Sequence, residues 1–162
     1  RKGKRQKCKI YCPYTLCKSN MNLNKIEIKK LVIHEDERGY LFEGLREDDT
    51  LFDGKFGQCL ISIVYKDIIK GFHKHKKQVD YTLCAKGKAI YVVSNGKEIK
   101  KFLLDEKNPI LIKVPPGIWH GYKAVEGDAV LIHIMDTTYN PEDTEEKDPL
   151  SFGDIWNIDI DT

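Results

Sequence analysis

The feature that most constrains the fold of this chain is a succession of short strand-like segments between Met21 and residue 136. Segments such as "QCLISIVY" (58–65) and "AIYVVS" (89–94) are rich in β-branched and aromatic residues, and turns such as the two-residue hairpin Asn95-Gly96 separate them. No window longer than about ten residues shows a convincing helical period. Many short strands at regular spacing are typical of sandwiches, jelly rolls and barrels, so the sequence predicts an all-β fold. The predicted strands are 26–34, 58–65, 80–85, 89–94, 97–104, 109–114, 119–125 and 129–136.

The first 20 residues differ in composition from the rest of the chain. They carry seven of the 27 basic residues and no acid, so residues 21–162 hold 20 basic and 25 acidic residues, a net charge of −5. We interpret residues 1–20 as a basic leader or tag outside the fold, and residues 21–162 as a single domain. A nucleic-acid-binding arm and a zinc knuckle are the alternatives, although Cys8, Cys12 and Cys17 provide only three ligands. The acidic main domain predicts no nucleic-acid partner.

Hydropathy and cysteine usage bear on the compartment. The longest apolar run, "AVLIHIM" (129–135), has the length of a strand, and no apolar signal-peptide region follows the basic N-terminus. Five cysteines, an odd number without the spacing of a disulfide framework, indicate reduced thiols. We therefore expect a cytoplasmic protein that does not associate with a membrane.

The segment "GFHKHKKQVDYTLCAKG" (71–87) contains the first candidate functional residues. His73 and His75 are two residues apart, so in a strand both imidazoles point to the same face. His120 follows the turn 115–117 and begins another predicted strand. The histidines could hold a metal, move a proton, or simply lie on a solvated face among the neighbouring lysines. A third histidine after a tight turn favours a functional site.

Two motifs in this region resemble those of the cupin superfamily, a small double-stranded jelly roll. The first motif is His73-x-His75-x4-Asp80-x6-Gly87, and the second is "PPGIWH" (115–120), which ends at His120. In that superfamily the three histidines and the carboxylate point into the barrel. The resemblance implies a cupin jelly roll for residues 21–162.

Further stretches extend the resemblance over most of the chain. They are "DERGYLFE" (36–43), Gln58 with "KGFH" (70–73), "PPGIWHGY" (115–122), "DTTYNP" (136–141) and "KDP" (147–149). In this order they resemble the signature segments of the dTDP-4-dehydrorhamnose 3,5-epimerase family of nucleotide-sugar epimerases and isomerases.

This resemblance implies proton transfer at carbon on a 4-keto-6-deoxyhexose that is linked to a nucleotide such as dTDP. The C–H bonds beside the keto group are acidic, and a base neutral near pH 7 suits their removal, as histidine is. By resemblance His73 is the base and Asp148 orients it, while His133 stands where the family has a tyrosine acid, so a histidinium there could donate the proton. The residues implied to bind substrate are Arg38, Glu43, Gln58, Lys70, His75, Asp80, His120 and Tyr139.

Departures from the family pattern leave the exact reaction open. Lys70 replaces an arginine and loses its bidentate fork. The family's lysine near the sugar carbonyl has no counterpart, because Asp80 falls at its position, unless one of the lysines in "HKHKK" (73–77) substitutes. Double epimerisation, single epimerisation and keto-isomerisation all stay open.

Two other functions also stay open. A metal-binding cupin would use His73, His75, Asp80 and His120 around one divalent transition metal such as Fe, Mn, Zn or Ni. A non-catalytic sugar-binding cupin is favoured by the missing lysine. We expect the enzyme, acting without a cofactor, because a generic metal cupin leaves the segments around residues 36–43, 136–141 and 147–149 unexplained. The resemblance also implies a homodimer.

Overall fold

The computed structural model describes residues 22–157, so the interpretation of residues 1–20 as a leader lies outside the described part of the chain. The described residues form twelve β-strands and two short 3-10 helices, Asn22–Lys25 and Pro141–Asp143. The strands are β1 (Glu27–Lys30), β2 (Ile33–Asp36), β3 (Gly39–Phe42), β4 (Gln58–Val64), β5 (Ile69–His75), β6 (Asp80–Lys86), β7 (Lys88–Ser94), β8 (Ile99–Asp105), β9 (Ile110–Val114), β10 (Trp119–Ala124), β11 (Ala129–Met135) and β12 (Thr144–Glu146). Over this range no helix has the length and apolar character needed to cross a membrane.

Ten of these strands form two five-stranded antiparallel sheets. The first sheet has the order β1-β9-β6-β11-β4 and the second has the order β12-β5-β10-β7-β8. Strands β2 and β3 form a separate hairpin. Two facing antiparallel sheets with these non-sequential neighbours form a jelly roll, so the all-β prediction is confirmed.

Alternation along each strand decides which side chains face the interior. In β11, Leu131 and His133 are buried, whereas Ile132 and Ile134 are half-buried on the outer face. Successive side chains of a strand point to opposite faces, so the polar ring of His133 shares its face with core residues. The interior of the barrel is therefore apolar in one part and polar in another.

Three apolar clusters stabilise the jelly roll. The largest lies between the two sheets and includes Leu104 and Leu131. The second includes Leu51, from the segment between β3 and β4, and Tyr81 of the first sheet. The third includes Trp156 and covers the outer face of the second sheet. The largest cluster fills part of the space between the sheets, and the polar side chains occupy the remaining part of the barrel interior.

The acidic C-terminal segment packs on the second sheet, as Trp156 and Phe152 in the sequence suggest. The ring of Trp156 lies 5.0 Å from that of Phe72, and its Nε1 donates to the carbonyl oxygen of Pro149 at 2.8 Å. Strand β12, which the sequence does not predict, pairs with β5 and places Glu146 opposite His73. The segment therefore runs along the edge of the histidine strand.

Two predicted boundaries differ from the structure. Segment 26–34 is two strands, because the chain leaves the first sheet after Leu31, whose N–H donates to Pro109 at 2.9 Å. The hairpin at Asn95 has a four-residue loop, since its flanking residues Ser94 and Ile99 are paired. The Oδ1 atom of Asn95 accepts two backbone N–H groups within that loop and so stabilises the wider turn.

Candidate functional site

Three histidines and one aspartate converge inside the barrel. His73 and His120 are opposite each other in the β5–β10 pairing, with ring centroids 4.1 Å apart. Oδ2 of Asp80 lies 2.9 Å from Nε2 of His120 and 3.4 Å from Nε2 of His75. The four potential ligand atoms of these residues all lie within 4.8 Å of one another. The convergence implied by the cupin motifs is therefore present in the structure.

A glycine and a bulge position the histidine strand. Gly71 has a φ of +143°, and a Cβ at this position would lie 2.7 Å from Cα of Gly121 on β10. Close by, His120 pairs with His73 and Tyr122 pairs with Lys70, so β5 contains one extra residue. The bulge explains why Lys70 and His73, three residues apart, both face the interior.

Asp80 is the carboxylate of this cluster and is buried. Burial acts to raise the pKa of Asp80, but its close contacts with His120 and His75 together lower that pKa well below the ordinary value. Nε2 of Gln78 donates to its other oxygen at 2.7 Å. Asp80 is therefore ionised at neutral pH and supplies the negative charge of the site.

The imidazole of His120 has a defined orientation. Its Nδ1 lies 3.0 Å from the carbonyl oxygen of Ile118, and since a carbonyl only accepts, Nδ1 carries a proton. Its Nε2 lies at ion-pair distance from Asp80, yet it makes no hydrogen bond of normal geometry within residues 22–157. In a neutral ring protonated at Nδ1, Nε2 carries a lone pair and no proton, and it repels the carboxylate oxygen. The contact between Nε2 and Asp80 is therefore favourable only when a proton or a cation lies between them.

His73 is a half-buried imidazole on the inner face of β5. Burial, and secondarily the nearby His120, lower the pKa of His73 to about 2, while Asp80 acts in the opposite direction. The ring is therefore uncharged at neutral pH. An uncharged imidazole is the form that a general base or a metal ligand requires.

His133 projects into the barrel from the opposite sheet and is 6% exposed. Its Nδ1 lies 3.0 Å from Oγ1 of Thr82, and its Nε2 has no hydrogen-bond partner among the described residues. Burial lowers the pKa of His133 to about 4. This pKa favours an uncharged imidazole at neutral pH, and the role of His133 as a proton donor stays a prediction.

Lys70 extends from β5 to β4 across the opening of the barrel. Its Nζ donates to Oγ of Ser62 and to the carbonyl oxygen of Ile63, both at 3.0 Å. The Tyr122 hydroxyl donates to the same Ser62 oxygen at 3.1 Å. Two of the three ammonium donors are thereby used, and the third is available to a ligand.

Arg38 and Glu43 lie on the exposed surface around the β2–β3 hairpin. The side chain of Arg38 pairs with Asp36 and is 83% exposed, and Glu43 forms an ion pair with Arg46 at 2.9 Å. Neither contacts the histidine cluster within the described chain. Their predicted role in nucleotide binding stays a prediction.

Gln58 and Tyr139 are neighbours at the other end of the site region. Oε1 of Gln58 accepts the backbone N–H of Tyr139 at 3.2 Å, and the Tyr139 side chain is exposed. An exposed phenol is free to cover a ligand, as a stacking role requires. Their assignment to substrate binding likewise stays a prediction.

The structure places Asp148 differently from the expectation that it orients His73. The residue is exposed, and its Oδ1 accepts the backbone N–H of Leu150 at 2.8 Å. No hydrogen bond or ion pair joins it to His73 in residues 22–157. The carboxylate beside the imidazoles is Asp80 instead, because β6 brings it into the interior whereas Asp148 lies in the turn after β12.

Two of the three lysines in segment 73–77 are directed away from the interior. Lys74 faces outward, where it pairs with Glu145 at 2.9 Å and lies over the Trp119 ring. Nζ of Lys76 donates to a backbone carbonyl of the C-terminal segment. Lys70, although an exposed residue, brings its Nζ to the buried Ser62.

Sequence reasoning missed the polar side chains that line the interior beside the histidines. They are Ser62, Thr82, Tyr91 and Tyr122. The two-residue period of a strand could have identified Thr82, because it lies two residues after Asp80 and so on the same face of the strand. The others depend on which strands become neighbours.

A mainly apolar cavity lies elsewhere, between the β1 and β8 edges of the two sheets. Its volume is about 530 Å³, and Leu31, Phe102 and Ile110 are among its mainly apolar lining residues. It contains no histidine or acid, so it offers no proton transfer or metal ligation. The chemistry of the histidine cluster makes that cluster the candidate site.

Comparison with known proteins shows which family this chain belongs to. Residues 24–152 match the family described as FdtA, WxcM-like, C-terminal. The chain belongs to this FdtA family. The expected relationship to dTDP-4-dehydrorhamnose 3,5-epimerases is also confirmed, because curated proteins of that name align with 68–77% of this chain at 23–27% identity.

Relatives with higher identity or coverage have biosynthetic names. The spore coat polysaccharide biosynthesis protein SpsL of Bacillus subtilis is 33% identical over 150 residues, which cover 85% of this chain and 99% of that protein. The probable low-salt glycan biosynthesis epimerase Agl13 of Haloferax volcanii is 28% identical, covering 86% and 97%. Among solved structures, the dTDP-4-dehydrorhamnose 3,5-epimerase of Elizabethkingia anophelis superposes with a TM-score of 0.70 at 26% identity, covering 89% and 86%.

Proposed function

We propose that this protein is a nucleotide-sugar epimerase or isomerase that acts on a 4-keto-6-deoxyhexose linked to dTDP or a similar nucleotide. The observation that carries the proposal is an uncharged, half-buried His73 that faces the interior of an epimerase-type jelly roll, with His133 projecting from the opposite sheet. Relatives and structural neighbours are named as epimerases and dTDP-sugar isomerases. These names support the substrate class.

The proposed proton transfer involves no oxidation or reduction, so it requires no redox cofactor. A neutral His73 takes the proton from the carbon beside the keto group; the electron pair of that C–H bond becomes the C=C bond of an enolate, and the carbonyl π pair moves onto the keto oxygen. A proton from solvent water delivered to the opposite face of the same carbon inverts the centre. Protonation of C4 instead, with loss of the C3 hydroxyl proton, moves the keto group to C3. We propose that the reaction needs no metal, with Lys70 and Asp80 setting the electrostatics of the site.

Exchange of solvent hydrogen into the sugar tests this function. dTDP-4-keto-6-deoxyglucose incubated with the enzyme in D₂O is expected to gain deuterium at C3, at C5 or at both if it is epimerised, and at C4 if the keto group moves to C3, as read by mass spectrometry and NMR. Deuterium at C3 alone indicates a single epimerisation, whereas a keto-isomerised product has no hydrogen at C3. A protein that binds the nucleotide sugar in a thermal-shift assay but exchanges nothing would be a sugar-binding cupin, and the proposal would fail.

A specific observation supports a second candidate, a metal-dependent cupin. The bare Nε2 of His120 lies 2.9 Å from the Asp80 carboxylate, and a divalent cation between them would turn this unfavourable contact into two ligand bonds. His73 and His75 complete a set of three nitrogens and one oxygen, which suits Fe, Mn, Zn or Ni. A bound metal would act as a Lewis acid on a substrate oxygen. It would also occupy the ring nitrogen that the base needs.

Metal content separates the two candidates. Protein purified without chelator is expected to contain well under one transition metal per chain by inductively coupled plasma mass spectrometry, and EDTA treatment is expected to leave deuterium exchange unchanged. The alternative outcome is one tightly bound metal per chain that is lost, together with activity, in a His75→Ala variant. That outcome would show that the protein is a metal-dependent cupin. His34→Ala, on the exposed β2 strand, is the matched control.

We also propose a homodimer that forms through the outer face of β4. This edge strand exposes Ile61 (67%), Ile63 (59%) and the adjoining Tyr65 (69%), and none of the three carries a charge. An uncovered apolar edge strand tends to pair with another chain. The partner that an uncharged, self-complementary strand fits is a second copy related by a two-fold axis.

An Ile61→Glu variant is expected to be monomeric at concentrations where the wild type is dimeric. The two-fold axis places two charges in the apolar interface, so the dimer dissociation constant should rise about 100-fold or more. Light scattering coupled to size-exclusion chromatography measures this. Val32→Glu, an equally exposed position away from β4, should leave the dimer intact. An unchanged dimer in Ile61→Glu would place the interface elsewhere.

A cytoplasmic location is part of the proposal. Cys59 and Cys84 are both free thiols, and Cys59 is exposed. Exposed free thiols are typical of reducing compartments.

A further inference from the structure

His133 and Thr82 form a buried polar pair on the inner face of the first sheet. Thr82 is 0% exposed and His133 is 6% exposed. They are opposite each other in the β6–β11 pairing, and Oγ1 of Thr82 lies 3.0 Å from Nδ1 of His133. The pairing of β6 with β11 therefore places the Thr82 hydroxyl next to Nδ1 of His133.

The other nitrogen, Nε2, is buried without a partner within residues 22–157. Nε2 lies on the far side of the ring from Cβ, so on an inward-pointing side chain it extends towards the second sheet, which carries His73 and His120. A buried polar atom without a partner has lost the hydrogen bonds that water would give it in the unfolded chain. Such an atom in a candidate active site is suited to a hydrogen bond with a ligand.

The surroundings of Thr82 favour one direction for its proton. Within residues 22–157, the side-chain hydrogen bond of the fully buried Thr82 hydroxyl is the one with Nδ1 of His133. A buried hydroxyl proton needs an acceptor, and Nδ1 of a neutral imidazole supplies one when it carries no proton. In a neutral ring the imidazole proton must then lie on Nε2.

We propose that Thr82 is a positioning residue that holds neutral His133 with its Nε2–H directed into the barrel. There His133 donates a hydrogen bond to the sugar oxygen that becomes negative when His73 removes the neighbouring proton. The inference rests on the proposed function. It replaces the charged donor expected from the sequence with a neutral one, which stabilises an enolate without giving up its proton.

The tautomer can be read without substrate. Long-range ¹H–¹⁵N correlation spectra of the labelled protein at neutral pH are expected to show His133 protonated at Nε2 and bare at Nδ1. The signal is assigned by its absence in His133→Gln. In Thr82→Val, which has the same shape but no hydroxyl, the two tautomers should mix. A wild-type His133 protonated at Nδ1 would overturn the proposal.

Kinetics provide the second readout. Thr82→Val is expected to lower kcat about 10- to 100-fold with little change in KM, because the binding groups are intact and only the donor is misdirected. Thr82→Ser restores the hydroxyl and should restore both the kcat and the wild-type tautomer. An unchanged kcat in Thr82→Val would contradict the inference. Absence of deuterium exchange in the wild type, with the Nε2–H tautomer present, would contradict the proposed function alone.

Discussion

Replacing His73 by asparagine is expected to reduce deuterium incorporation into dTDP-4-keto-6-deoxyglucose by about 10²- to 10⁴-fold. Asparagine keeps a polar, planar group near Nδ1 but cannot accept a proton from carbon. The neutral ring of His73 is the candidate base on β5, and its neighbours His75 and His120 are both engaged with Asp80. Single-turnover measurements by mass spectrometry would give the rate.

The His73→Asn substitution should leave nucleotide binding intact. We expect the thermal shift produced by dTDP to be similar in wild type and His73→Asn, because the base contacts the sugar and not the nucleotide. His34→Asn is the matched control, since His34 is exposed on β2, and it should keep the wild-type exchange rate. A wild-type rate of deuterium exchange in His73→Asn would show that His73 is not the base. His133 would then be the next candidate for that role.

Replacing Asp80 by alanine is expected to lower the free energy of unfolding by about 3–5 kcal/mol. The change leaves Nε2 of Gln78 without its buried acceptor and removes the negative charge beside His75 and His120. Urea unfolding followed by tryptophan fluorescence measures the difference. Asp154→Ala, at an exposed position, should change stability by no more than about 0.5 kcal/mol.

The destabilisation should depend on pH in a definite direction. The pKa of Asp80 is lowered in the folded protein, so its charge stabilises the fold fully above the unfolded pKa of about 4. As the pH falls below that value, the unfolded chain takes up the proton first and the contribution is lost. The gap in stability between wild type and Asp80→Ala should therefore narrow below about pH 4. A gap that stays constant down to pH 3 would show that Asp80 acts through packing alone.

Local periodicity accounts for most of what could be predicted. Segments 58–65, 80–85 and 89–94 correspond to real strands, because short runs rich in β-branched and aromatic residues between turns favour strands. The two-residue period of a strand places His73 and His75 on one face. The turn before His120 could be read because proline and glycine have restricted or unusual backbone geometry.

Sequence by itself determined the fold class, the strand positions and the identity of the histidine cluster, because each depends on interactions between residues close in the chain. Asp80 joins that cluster, as the cupin motif implies. Only the tertiary structure decided that Asp148 lies outside it, in an exposed turn. The tertiary structure likewise decided that His133 is neutral and faces Thr82, since burial and cross-strand register arise only when distant strands pair.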